Sequence, residues 1–277
     1  MNIDLRGLRT ALLLLLVLAW AAGVCPAQAP GTAKAAEKGS QTAKGGFKNE
    51  DEIRDKFNNW QDDPDARKWL ETMGFRLEDV IEVAARKPHG EKSDVDVVVR
   101  TKTGERKEGI SIKLVSSPTG FNQIDKRWLA TYVRMWKIPT EAEAALKLFL
   151  GEVPPVKPGR AADRMFLTEL DEEQRRAVIE FFTANKDRIL RDLFRGDGPH
   201  AATWFMVAQK GGETTRWVLV RDEDAIRFFG EGKIEITRGG NLKIGRVTMQ
   251  RKGGDGGRET ARMLQFKINP ALLFDAK

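Results

Sequence analysis

Asp94, Ser111 and Lys113 are the residues whose types and spacing could do chemistry together. Ser93-Asp94 opens directly into Val95-Asp96-Val97-Val98-Val99, a β-branched run that predicts a strand. Thr103-Gly104-Glu105 supplies a turn, and Gly109 to Val115 predicts the returning strand. Ser111 and Lys113 stand two apart on it, so both side chains leave one face of the sheet. An acid at the start of one strand can converge with such a pair on its hairpin partner. The chemistry that uses this set is metal-assisted phosphodiester hydrolysis. Asp94 would hold a divalent cation, Mg2+ by type, and the Ile112 carbonyl would add a ligand. Lys113 would orient or deprotonate a water beside the phosphate. Taken alone the pattern is weak, because a charged residue at the end of a hairpin is usually just solvated.

The surrounding text is far more specific. Ser111-Ile112-Lys113-Leu114-Val115-Ser116, followed by Gly120-Phe121-Asn122-Gln123-Ile124-Asp125-Lys126-Arg127-Trp128, closely resembles type II restriction endonucleases of the HinP-one-I kind, the GCGC cutters, and more distantly the MspI enzyme. Gly39 to Glu50, the tract around Trp69 to Gly74, Asp163-Arg164-Met165-Phe166, Gly245 to Asp255 and Gly257 to Thr260 look like the same family, as does Met263 to Ile268. The likeness covers nearly all of the chain after about residue 38. It implies an α/β fold of the PD-(D/E)xK superfamily: a restriction-endonuclease-like mixed sheet core flanked by helices, with a C-terminal strand-rich DNA-reading region. It also implies double-stranded DNA as partner and leaves a homodimer open.

Composition bounds the rest. The 277 residues suffice for one sizeable core, and none of the chain looks like an internal repeat. A net charge of +7 favours a polyanionic partner, nucleic acid or an anionic membrane. Cys25 is the only cysteine, which excludes a disulfide framework and a cysteine-based zinc site in the body of the chain. His89 and His200, far apart in sequence, argue against histidine metal ligation or a Ser-His-Asp triad, and both read as plain loop residues.

In chain order, residues 1–29 have the form of a secretory signal, with Arg6 and Arg9 before the apolar Ala11 to Ala22 and small residues ending at Ala27-Gln28-Ala29. Contact with a membrane is expected only through this leader, if uncleaved. Export would follow from it, whereas the family resemblance implies a cytoplasmic enzyme if the start is misassigned. Residues 30–46 read as a flexible linker, and 47–277 as a single restriction-endonuclease-like domain. Glu50 to Trp60 predicts a helix with Glu50 at its start. The resemblance lets Glu50 lean toward the metal site, while a helix-dipole role in a first turn explains it equally well. Asp63-Pro64 caps a second helix that Gly74 stops, and Leu77 to Ala85 predicts a third.

Gln123 to Trp136 predicts a helix whose N-terminal Asn122 and Gln123 could read base edges, with Lys126 and Arg127 on phosphates. The resemblance makes this a recognition segment and places Phe121 where an aromatic could wedge between base steps. The residue type alone favours a core anchor. Thr140 to Leu150 and Asp171 to Phe194 read as helices, Ala202 to Gln209 and Thr215 to Val220 as strands. Asp222 to Phe229 is a short helix, and Lys233 to Thr237, Leu242 to Arg251 and Arg262 to Ile268 are strands. The glycine-rich run Lys252 to Arg258 lacks the ending and the strand-loop-helix order of a nucleotide loop, so no nucleotide cofactor is expected. A basic loop approaching DNA fits better, with Arg246, Gln250, Arg251, Lys252 and Arg258 as candidate phosphate or guanine contacts.

One departure matters. The resembled enzymes carry an amide or acid two positions before the lysine, where this chain has Ser111, a weaker ligand for a hard cation. Asp96 or Glu50 could restore the charge. Three readings follow: a site-specific endonuclease cutting a short GC-rich palindrome and leaving 5′-phosphates, an exported nuclease of relaxed specificity, or a DNA-binding protein that no longer cuts.

Overall fold

The computed structural model describes residues 30–157, 159–211, 215–254 and 258–276, and for 30–43 the backbone alone. The leader, residues 1–29, lies outside the described residues, as does Gly212 of the turn before the second late strand.

Two five-stranded sheets carry the fold. The first has the order β1 (Val80–Arg86), β2 (Val95–Thr101), β3 (Gly104–Val115), β5 (Trp204–Gln209), β6 (Arg216–Arg221). Its pairs are antiparallel except β3 with β5, which run parallel. The second is antiparallel throughout, in the order β4 (Asn122–Arg127), β10 (Leu264–Ile268), β9 (Val247–Arg251), β8 (Leu242–Ile244), β7 (Ile234–Ile236). The mixed α/β class read from the sequence is what the chain adopts.

Two apolar cores hold the layers. Val95, Val97 and Val99 of β2, with Ile110 and Ile112 of β3, pack under Ile53, Phe57, Trp69 and Leu70 of helices Pro30–Asn58 and Pro64–Thr72. The larger core gathers Tyr132 and Trp136 of helix Leu129–Trp136, Phe149 of helix Thr140–Leu150, Phe182 and Phe194, and Met249, Leu264 and Phe266 from the second sheet. Strand β5 belongs to both. Trp204 and Met206 enter the first core while Phe205 and Val207 enter the second, which is why it reads as an unbroken apolar run.

The nuclease-type hairpin and the Asp63 cap appear as read. Asp63 accepts the Ala66 N–H at 2.9 Å, with Pro64 at the first helical position. Four elements differ. Leu77 to Ala85 is no helix: a single 3-10 turn, Leu77–Asp79, leads into β1, where Val80, Ile81 and Val83 take the edge-strand place beside β2. Gln123 to Trp136 divides into β4 and the helix from Leu129, because β10, more than a hundred residues on, claims Asn122 to Arg127 as a strand partner. Asp171 to Phe194 breaks at Asn185 (φ −115°) into helices Glu172–Ala184 and Lys186–Phe194, Asn185 donating its amide to the Phe181 carbonyl at 2.9 Å. Leu242 to Arg251 folds back on itself as the β8–β9 hairpin. Its Gly245 has φ +59°, and a Cβ there would lie 2.5 Å from the Gly230 carbonyl oxygen.

The helix bearing Glu50 begins at Pro30, so the backbone composed like a linker is helical, and Glu50 lies well inside rather than in a first turn. No described helix is long and apolar enough to cross a membrane.

Candidate active site

The hairpin register builds the site. Val95 faces Ile110, and the Asp94 N–H donates to the Ile110 carbonyl at 2.8 Å, so Asp94 enters β2 opposite Ser111. Ile110 and Ile112 point into the first core, which turns Ser111 and Lys113 to the other face. Asp94 Oδ2 accepts the Ile112 N–H at 2.6 Å, with Ser111 Oγ at 3.5 Å and Lys113 Nζ at 3.8 Å. A strand residue sends its N–H and C=O to the same edge, so the Ile112 carbonyl looks toward Asp94 as well. Asp94, Ser111 and Lys113 border a polar cleft of about 490 Å³ that also takes in Gln123, Lys126 and Arg127 from β4. Catalytic-type residues of the first sheet and reading-type residues of the second therefore share one cleft.

Glu50 enters from the helix above. Its carboxylate pairs with Lys87 Nζ at 3.0 Å and lies within the fields of Asp94 and Lys113. Burial, aided by the Asp94 charge, raises its pKa above the ordinary carboxylate value against the pull of Lys87 and Lys113. The helix-dipole reading is thus removed, and proximity to the site is what the structure gives.

Asp96 does not serve the cleft. Fully buried, it accepts from Ser93 Oγ at 2.7 Å and meets His200 Nδ1 at 2.6 Å and Lys107 Nζ at 2.9 Å. Burial alone would raise its pKa, but those three partners outweigh burial and hold it below the ordinary carboxylate range. His200 is accordingly no plain loop residue: with its carbonyl accepting the Ser93 N–H at 3.0 Å, it pins the chain at the entrance to β2.

A second polar cluster, in the lining of the same cleft, escaped the sequence reading. Lys92 Nζ donates to the Ile124 carbonyl at 3.0 Å and lies 3.5 Å from Asp125 Oδ2. Asp125 also accepts the Tyr132 hydroxyl and pairs with Arg127 at 2.9 Å, and Arg127 continues to Asp192 at 3.0 Å. Asp192 takes the Trp136 indole N–H at 3.0 Å. Burial lowers the Lys92 pKa and raises that of Asp192. The signal for Lys92 was its place just before Ser93-Asp94. No local pattern pointed to its partner, 33 residues away.

The DNA-contact candidates separate. Gln123 and Lys126 border the cleft, Asn122 sits beside them on β4, and Phe121 is 57 % exposed rather than a core anchor, with Lys243 Nζ 5.9 Å from its ring centre. Gln250, Gln265 and Gln123 form an amide ladder across β9, β10 and β4, at 3.4 and 2.7 Å. Arg127 is half-buried and held by two carboxylates, which makes it a structural cation. Arg246, on the β8–β9 turn, stacks on Phe228 and pairs with Glu231, bordering neither this cleft nor the arginine-lined one described below. Arg251 pairs with Asp163 at 2.9 Å, Lys252 gives its N–H to the Met263 carbonyl, and Arg258 borders the arginine-lined cleft.

Among the described residues no group of three His, Cys, Asp or Glu side chains could hold a metal ion. One carboxylate, a carbonyl and a hydroxyl do suit Mg2+, which keeps several waters and shares phosphate oxygens.

The solved structure of restriction endonuclease MspI in complex with its cognate DNA is similar to this chain, with a TM-score of 0.53 and 14 % identity over 76 % of this chain and 80 % of that one. No curated protein sequence matches. The model of the R.HinP1I restriction endonuclease family matches residues 73–274, spanning the hairpin, β4 and the whole second sheet, while Glu50 lies ahead of it. The chain belongs to the R.HinP1I restriction endonuclease family.

Proposed function

We propose that this protein is a Mg2+-dependent endonuclease that hydrolyses double-stranded DNA at a short GC-rich palindrome, GCGC-like, and leaves 5′-phosphates. The observation that carries this reading is the convergence of Asp94, Ser111 and Lys113 in a cleft that Gln123 and Lys126 also line.

A bound divalent cation would supply charge for the phosphoryl oxygens and acidify a water. Asp94 and the Ile112 carbonyl would hold it, with the Ser111 hydroxyl as a neutral neighbour. Lys113, 3.8 Å from Asp94 Oδ2, is placed to orient that water or take its proton. In-line attack on phosphorus then forms the new P–O bond and breaks the bond to the 3′ oxygen, which leaves as a hydroxyl after protonation. Amide side chains such as Gln123 suit base edges, and Lys126 suits a phosphate. The amide ladder orients Gln123 before any DNA arrives. The apolar stretch from Ala11 to Ala22 favours a second reading of the same chemistry, an exported nuclease of relaxed specificity.

Plasmid digestion with Mg2+ or with chelator, beside Asp94→Ala, tests the proposal. Discrete, metal-dependent fragments lost in the variant are expected. A smear would favour relaxed specificity. Retarded but uncut DNA in both Mg2+ and Mn2+ would overturn catalysis and leave a binding protein.

A further inference from the structure

A second cleft, of about 420 Å³, lies at the end of β9, lined by Arg164, Arg251, Arg258 and Arg262. Against these four guanidiniums it has two carboxylates, Asp163 and Glu259, and Asp163 is already paired with Arg251. Arg164 is the informative member. Its guanidinium lies 4.0 Å from the Phe166 ring centre and 5.7 Å from that of Phe149. Among the described residues it has no ion pair and no hydrogen-bond acceptor. Aromatic contact satisfies the faces of a guanidinium but leaves its in-plane N–H donors open. Burial, then the neighbouring Arg251, lowers its pKa against the opposing pull of Asp163 and Glu169, neither of which forms an ion pair with it.

The position matters as much as the charge. Arg251 faces Leu264 of β10, which faces Arg127 of β4 in turn. The end of β4 borders the active-site cleft, so the arginine cleft lies two strand spacings, roughly 10 Å, from that cleft's edge. That is on the order of the distance between neighbouring phosphates along a DNA backbone or across a groove.

We propose that this cleft is a phosphate site that grips a non-scissile phosphodiester of the bound duplex, with Arg164 and Arg262 as contacts additional to those read from the sequence. The ligand is a phosphate oxyanion, taken by in-plane guanidinium donors. The assignment to DNA rests on the endonuclease reading, whereas the oxyanion site itself does not.

The experiment measures duplex affinity against salt, without divalent metal, for the parent chain, Arg164→Met, Arg164→Lys and the exposed Arg262→Met. Each lost phosphate contact lowers the slope of log affinity against log salt by about 0.9. Arg164→Met and Arg262→Met should each flatten the slope by that amount and weaken cognate and unrelated duplexes equally. Arg164→Lys should keep the slope and lose part of the affinity, because charge survives while the planar fork does not. An unchanged slope in both methionine variants overturns the proposal, as does a loss confined to the cognate duplex, which would mean base reading. Should the parent bind no duplex, the endonuclease reading falls and inorganic phosphate decides the cleft. A saturating rise in melting temperature in the parent that both methionine variants lose supports an oxyanion site for free phosphate, and identical rises in all chains overturn it. Arg262→Met lies on the surface, so a fold lost in Arg164→Met does not remove the test.

Discussion

Replacing Ser111 by aspartate tests the metal site without relying on turnover. Ser111 is 4 % exposed, and its Oγ stands 3.5 Å from Asp94 Oδ2. A carboxylate there would face another at that range, a repulsion of about 5 kcal/mol at an effective dielectric of 20. Lys113, 3.8 Å from Asp94, returns part of this, while burying the new charge adds to it. A net cost of about 3 kcal/mol without metal is a fair central value, equivalent to ~6–12 °C in melting temperature for a chain of this size. One of the two carboxyls would also hold its proton to higher pH than a lone acid. A divalent cation cancels the repulsion, so the variant should regain most of the loss when Mg2+ is added. Metal at a hundred times its Kd returns about 2.7 kcal/mol. The assay is a thermal melt of parent, Ser111→Asp and Asp94→Ala, each with chelator and across a Mg2+ titration. An equal Mg2+ response in all three would refute the reasoning, since it would place the metal elsewhere. A Ser111→Asp chain as stable as the parent in chelator would refute the electrostatic part alone.

Three other outcomes are expected. Lys113→Ala should cut DNA at least about a hundredfold more slowly, the scale of a lost acid–base or water-orienting group, with affinity in Ca2+ unchanged; equal cutting would remove Lys113 from the chemistry. Asp96, whose pKa is lowered in the fold, contributes stability that is present above its unfolded value and lost as pH falls through its folded one. Urea unfolding from about pH 6 down to pH 2 should therefore show a shallower acid limb in Asp96→Asn, and parallel limbs would contradict the assignment. Gly245→Ala should lower stability by about 1–3 kcal/mol, because φ +59° and the Gly230 carbonyl both oppose a Cβ, and an unchanged melt would show the turn can open.

What was legible in the sequence was local. The β-branched run after Asp94, the Thr103-Gly104-Glu105 turn and the period-two placing of Ser111 and Lys113 define the β2–β3 hairpin, although not its chemistry, without outside help. Asp63-Pro64 names its own helix start. The misread elements are those whose fate is set by distant partners. Asn122 to Arg127 has an apolar spacing compatible with the following helix, and only β10 makes it a strand. Val80 to Arg86 becomes an edge because β2 lies beside it. Arg246 looked like a free cation because nothing near it in the chain shows Glu231, and for Arg127 the neighbouring Asp125 was in view while Asp192 was not. His200 was dismissed for the same reason, since Asp96 precedes it by 104 positions.

The Lys92 contact has a consequence for where a cut falls. Lys92 stands two residues before Asp94, and its far end is tied to Ile124 and Asp125, immediately after Gln123. One half-buried side chain therefore works as a gauge block between the strand that carries Gln123 and the carboxylate of Asp94. Its stem packs against Gly196 and its amine has two partners, which leaves that length little room to change. A duplex entering the cleft would meet two fixed points, and bending or stretching to fit both would fall to the DNA. The offset from read base to broken bond would then be a constant of the protein, inherited by every sequence it accepts, cognate or not.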